Sequence, residues 1–185
     1  GVCDRSSFRQ RVLFMDFSIG PYRFDGSKTI IMGILNVTPD SFSDGGRFLD
    51  RSRAVDRAFE MAREGADIID IGGESTRPGS EGVSLEEELE RVIPVVEAVA
   101  PTIGIPVSVD TMKAEVAEAA LDAGVMMVND VSALTFDPHM AGLVASHGCS
   151  VALMHMRGEP RTMQDNPLYD LTHDVIIERI ILHRA

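Results

Sequence analysis

Five short apolar runs recur along the chain, at Thr29–Val37, Ala66–Ile71, Ile105–Val109, Val125–Val128 and Ser150–Met154. They are near-continuous rather than alternating, which is the pattern of strands covered on both faces. Helical stripes lie between them. Ala54, Val55, Ala58, Phe59 and Ala62 form one; Leu85, Leu89, Val92, Ile93, Val96 and Val99 form another. The second opens with a capping box, Ser84 and Glu87, and holds Pro94, which is expected to kink or shorten it. An alanine-rich stretch over Lys113–Ala123 ends at Gly124, and further helices fit His139–Ser146 and Asp170–His183. Strand and helix therefore alternate five times, and the class is α/β with a parallel sheet.

Residues 1–28 break the pattern. Val12–Phe17 alternates loosely and Ile19-Gly20-Pro21 is a turn signal, so a short antiparallel hairpin is expected before the first parallel strand. The whole is read as one domain, 1–185, with the hairpin at 1–28 and βα units over 29–185. The formal charge is −12, of which 1–28 carries +2 and the remainder −14. So acidic a chain is a poor binder of nucleic acid or anionic membrane. No apolar run reaches the roughly 18 residues of a membrane span. Cys3 and Cys149 make no disulfide framework, the usage of a reducing, cytoplasmic compartment. The first residue is Gly, and the expectation is a processed chain or one cut from a longer protein.

A polar cluster follows every strand, and ligands of parallel sheets bind at the carboxyl ends of the strands. Five polar ends favour a ring of contacts, hence a barrel, over an open sheet with one or two rich ends. The first cluster runs Asn36 to Gly46 and is long, polar and glycine-ended. As a lid it would offer Asn36 as an oxygen ligand for a hard cation, Asp40 or Asp44 to stabilise positive charge, and Phe42 to close over a flat ring. A surface loop capping the next helix competes with that reading. The second cluster, Gly72 to Gly79, has two glycines that allow close backbone approach, then Thr76 and Arg77 with donors suited to phosphate. It is neither a P-loop nor a dinucleotide fingerprint. An ordinary glycine turn remains open.

Asp110 and Asn129 each end an apolar strand. A carboxylate facing two N–H donors, beside a planar amide, matches a pterin or purine edge. The competing reading has Asp110 capping the helix that starts near Met112 and Asn129 satisfying backbone. Met154 ends the fifth strand as a packing residue, and His155 beside it reads as a structural histidine. The histidines show no zinc spacing, and no nucleophile elbow is present.

Together these segments resemble the dihydropteroate synthase family. The carriers are Ile31 through Gly46 (IMGILNVTPDSFSDGG), Gly65 through Gly79 (GADIIDIGGESTRPG), Val107-Ser108-Val109-Asp110-Thr111, Val128-Asn129-Asp130-Val131 and Leu153-Met154-His155-Met156, in order. The resemblance implies a (β/α)8 TIM barrel, of which this chain covers about the first five βα units. It implies condensation of a dihydropterin methyl diphosphate with 4-aminobenzoate, giving dihydropteroate and diphosphate in folate biosynthesis. By position, Asp110 and Asn129 would hold the pterin, with Val131 and Met154 lining its pocket. Thr76 and Arg77 would contact diphosphate, Asn36 would sit at the Mg2+–diphosphate site, and Phe42, Asp44 and Pro78 would form the aminobenzoate pocket. Asp44 and Arg77 are the expected catalytic pair. The implied partners are these small molecules, and a homodimer is left open. The family's later Asp, Ser-x-Lys and Arg-x-His residues find no match, so the 185-residue chain alone is expected to have little or no synthase activity. A methyltetrahydrofolate-dependent methyltransferase and an inactive pterin-binding homologue are the alternatives.

Overall fold

The computed structural model describes residues 16–38, 47–74 and 82–154. Strands β1 (Phe17–Ile19) and β2 (Tyr22–Phe24) form the expected antiparallel hairpin around Gly20-Pro21. Then follow β3 (Met32–Asn36), α1 (Arg47–Glu64), β4 (Ile68–Gly72), α2 (Leu85–Val99), β5 (Val107–Asp110), α3 (Ala114–Asp122), β6 (Met127–Asp130), α4 (Met140–His147) and β7 (Ser150–Leu153). The proposed helix at Asp170–His183 lies outside the described residues. Each strand starts two or three residues later than its apolar run, except β7, because the first residues of the other runs lead into the sheet.

β3 to β7 make one parallel sheet whose spatial order is their sequence order. That order decides between the two α/β architectures. A doubly wound sheet reverses direction once and places helices on both faces. Here the order never reverses, so right-handed crossovers lay every helix on the same side. The main core is that side: Leu35, Ile69, Ile71, Val107, Val109 and Val128 from the strands meet Ala54, Ala58, Val92, Val96, Val116, Ala117 and Met140 from the four helices. The other face belongs to the interior of a β/α barrel, and the five strands are an arc of it.

The helices form where their stripes require. Ser84 caps α2, accepting from the Glu87 N–H at 3.2 Å. Only half of the capping box forms, since the Glu87 carboxylate turns outward to Arg91. Pro94 does not shorten α2, which continues through it to Val99; burial of Val92, Val95, Val96 and Val99 outweighs the hydrogen bond a proline cannot donate. Asp110 does not cap α3. The helix begins at Ala114, whose N–H is taken by Asp137 Oδ2 at 2.8 Å, and the Lys113 N–H goes to Thr111 Oγ1 at 3.2 Å.

The barrel arc has one closed end. Ile19 from the hairpin packs with Ile68 and Met127, surrounded by Phe24, Ile30, Met32, Met126 and Ala152. Ser150 Oγ donates to the Ser18 carbonyl at 2.9 Å, fastening the hairpin to β7. The hairpin thus covers the amino-terminal ends of the strands, and the polar carboxyl ends are left as the accessible mouth. Among the described residues no helix is long and apolar enough to cross a membrane.

Candidate functional site

Strand register stacks the inward-facing residues in rows. Asn36 pairs with Gly72, Gly72 with Asp110, Asp110 with Asn129 and Asn129 with Ala152, which makes one row across the mouth. One layer deeper, Ile34 pairs with Asp70, Asp70 with Ser108, and Ser108 with Met127. Adjacent strands lie about 4.8 Å apart, so Asp110 and Asn129 stand side by side at the mouth.

The two rows are tied together. Asp70, only 1% exposed, accepts from Ser108 Oγ on one oxygen and from Asn129 Nδ2 at 2.9 Å on the other. Burial raises the Asp70 pKa while these two donors oppose the rise. Asp110 has no such help. Its Oδ1 is buried with no hydrogen-bond partner among the described residues. Burial pushes the Asp110 pKa up to about 7, and the charges of Asp70, Glu88, Asp130 and Glu74 push it the same way. A buried carboxyl oxygen with no donor among the described residues has the chemistry to accept from a donor-bearing ligand.

Asp130, next to Asn129, faces the other way. It is buried and accepts from the N–H groups of Ser132 at 2.7 Å and Leu134 at 3.0 Å. These bonds hold Ala133 and Leu134 in the left-handed region, at φ 55° and 63°. Val131, buried but in neither hydrophobic cluster, follows Asp130 at the start of this turn.

The two glycines at the end of β4, Gly72 its last residue and Gly73 the next, have different jobs. A Cβ on Gly72 would lie 3.3 Å from Asp110 Cβ, so its absence keeps the space beside that carboxyl open. Gly73 serves packing instead of ligand approach, correcting the sequence expectation. A Cβ there would meet Val92 Cγ2 at 2.7 Å and Glu88 Cγ at 3.1 Å on α2, and the Gly73 carbonyl accepts from Arg91 Nη1 at 2.8 Å. Gly73→Ala is therefore expected to lower stability by about 1–3 kcal/mol, read as a lower urea midpoint. Val92→Ala should cost less in the Gly73→Ala background than in the wild type, because it relieves the clash.

Beside Gly73, Lys113 bridges Glu74, at 2.6 Å, and Glu88. Burial lowers the Lys113 pKa, but hydrogen bonds and charge from the two glutamates outweigh it and the net shift is upward. Neither this triad nor the Asp70–Ser108 pair was singled out in the sequence. The one available signal was a lone carboxylate inside an apolar run, Ile68-Ile69-Asp70-Ile71, since a buried charge requires partners.

Of the sequence-derived residues, Asn36, Asp110 and Asn129 share the mouth row. Met154 follows β7, its N–H bonded to the Asp130 carbonyl at 3.3 Å. Asp40, Phe42, Asp44, Thr76, Arg77, Pro78 and His155 lie outside the described residues.

Comparison with known proteins matches residues 32–184 to the family described as pterin binding enzyme. The chain belongs to that family. It is 54% identical over 148 residues to the dihydropteroate synthase of Synechocystis, an alignment covering 80% of this chain and 51% of the relative. The chain thus spans about half the length of the curated relatives it matches. Among solved structures, the Yersinia pestis dihydropteroate synthase in a sulfonamide drug complex superposes with TM-score 0.79 at 45% identity, over 91% of this chain and 61% of that one. The Xanthomonas albilineans dihydropteroate synthase with 4-aminobenzoic acid gives TM-score 0.79 at 44% identity, over the same two shares.

One residue of the mouth row has a donor of the kind a magnesium ion takes. Mg2+ takes one or two protein oxygens and fills its octahedron with water and substrate phosphate. Asn36, exposed at the end of β3 and free of the helix-side core, offers one such oxygen. Among the described residues no group of three or more His, Cys, Asp or Glu could hold a metal ion.

Proposed function

We propose that the chain carries the pterin-binding part of a dihydropteroate synthase, joining a dihydropterin methyl diphosphate to 4-aminobenzoate with release of diphosphate. The observation that supports it most is the Asp110 carboxyl beside Asn129 at the open end of the arc, its Oδ1 buried and without a hydrogen-bond partner among the described residues. A pterin edge brings two N–H donors in one plane, which satisfy Asp110 and convert an unfavourable burial into charge-assisted hydrogen bonds. The names of the relatives point to the same chemistry.

In this reading Asp110 and Asn129 bind and orient the ring, and Val131 and Met154 flank it. Asn36 would hold Mg2+, which supplies charge neutralisation for the departing diphosphate. Arg77 and Thr76 bind the same diphosphate, with Arg77 taking part of its charge. The methylene C–O bond breaks, and Asp44 stabilises the cationic carbon. The neutral aniline nitrogen then forms the C–N bond and releases its proton to solvent. Phe42 and Pro78 contact the aminobenzoate. A methyltransferase would need no diphosphate contact, and Arg77 argues against it.

Calorimetry separates the parts. The pterin diphosphate is expected to bind in Mg2+ at least about 10-fold more tightly than in excess chelator, and Asn36→Ala should remove that difference. Binding of the unphosphorylated pterin should be the same in Asn36→Ala and wild type. Aminobenzoate is expected to bind only after the pterin diphosphate. If the pterin diphosphate does not bind at millimolar concentration, the reading fails.

A further inference from the structure

Asn129 offers a ligand either an acceptor or a donor, because its amide can turn over. The pocket's choice of ring depends on which one is presented. Three features of the deeper row settle the orientation. Asp70 is 1% exposed and sits directly beneath the Asp110–Asn129 row. Its Oδ2 accepts from Asn129 Nδ2 at 2.9 Å. Its Oδ1 is committed to Ser108 Oγ, and Ser108 is itself fully buried. With Oδ1 taken by the Ser108 hydroxyl, Oδ2 serves as the acceptor for the Asn129 amide nitrogen. The planar amide then carries Oδ1 away from Asp70. Among the described residues nothing donates to that oxygen.

We infer that Asp70, held by Ser108, is a positioning residue that fixes Asn129 with its oxygen toward the ligand, so that the site presents adjacent acceptors and selects a ring edge made of N–H donors. This rests on the pterin-site reading given above and deepens it, by naming what enforces the preference for an amino-bearing ring. A ring of the same shape carrying a 2-oxo group would set its oxygen against the acceptors at this edge. Sites built to bond an N–H reject analogues that lack it, because their own polar groups are then left unpaired.

The probes are pterin and lumazine, the same bicycle with a 2-amino and a 2-oxo group, titrated into the full 185-residue chain. The wild type is expected to favour pterin by on the order of 100-fold. In Asp70→Leu the amide is released, and the preference should fall at least about 10-fold, with lumazine binding unchanged or stronger. Asp70→Asn keeps an acceptor oxygen for Asn129 Nδ2 and a donor for Ser108, so the preference should return to near the wild-type ratio. If Asp70→Leu weakens both rings equally and leaves the ratio intact, Asp70 only supports the fold and the inference is overturned. A second readout needs neither ligand nor mutant at 70. The Asn129 side-chain N–H signal in the unliganded wild type, identified by its loss in Asn129→Ser, should show one proton strongly protected from solvent exchange. Free exchange of both protons overturns the inference even if Asp70→Leu does not fold. Failure of the wild type to bind either ring would instead count against the pterin site, with the amide signal still deciding the orientation.

Discussion

Asp110→Asn is expected to bind pterin at least about 100-fold more weakly than wild type and yet to be the more stable protein above neutral pH. The first half follows from losing two charge-assisted hydrogen bonds, each worth about 1.5–3 kcal/mol when the acceptor is ionised. The second half follows from the raised pKa. Asp110 titrates at about 7 in the fold and near the ordinary carboxylate value, about 4, when unfolded. Between those values the folded chain holds a proton that the unfolded chain has lost. Its stability therefore falls as pH rises through that window, and is fully reduced above about 7. The neutral amide has no such dependence. Relative to wild type, the variant should gain from pH 4 upward, reaching a few kcal/mol (~4 at most) near pH 8. Urea midpoints at pH 4.5 and pH 8 measure it. An equal difference at both pH values would mean that Asp110 is not buried unpaired.

The second large effect concerns Lys113. Lys113→Met leaves Glu88, 1% exposed, and Glu74 without their countercharge. Breaking a buried pair from one side costs about 3–5 kcal/mol, whereas replacing the pair by apolar groups is often neutral. The single variant should therefore lose about that much, and Lys113→Met with Glu88→Leu should regain most of it. Arg57→Ala is the contrast. Its pairs with Glu60 and Glu64 are exposed on both sides, and its loss should stay below about 1 kcal/mol. Denaturant midpoints of the four proteins decide it, and a Lys113→Met variant as stable as Arg57→Ala would contradict the account.

The difference between Asp110 and Lys113 also shows what a sequence exposes to reading. The strands were legible because a strand covered on both faces is apolar without interruption, and Asp110 and Asn129 stood out as polar residues ending such runs. The barrel topology was legible only as a ring of polar ends; the unreversed strand order then established it. What stayed hidden depends on register. Asp70 meets Ser108 across 38 positions and Asn129 across 59, while Lys113 meets Glu74 across 39 and Glu88 across 25. No local pattern encodes such meetings, since strand pairing alone decides which residues share a row. Gly73 was misread for the same reason. Two adjacent glycines looked alike, yet one faces Asp110 and the other is pressed on α2.

Proton linkage on ligand binding tests the central claim most directly. Pterin is titrated calorimetrically into the chain at pH 6 and pH 8, in two buffers of different ionisation enthalpy. With Asp110 at about 7, the carboxyl is about nine-tenths protonated at pH 6 and about one-tenth at pH 8. Accepting two N–H donors requires the ionised form, so binding should release nearly one proton per ring at pH 6 and close to none at pH 8. The release should vanish in Asp110→Asn. Binding at pH 6 with no proton released, or with the same affinity in Asp110→Asn, would contradict a pterin held on this carboxylate.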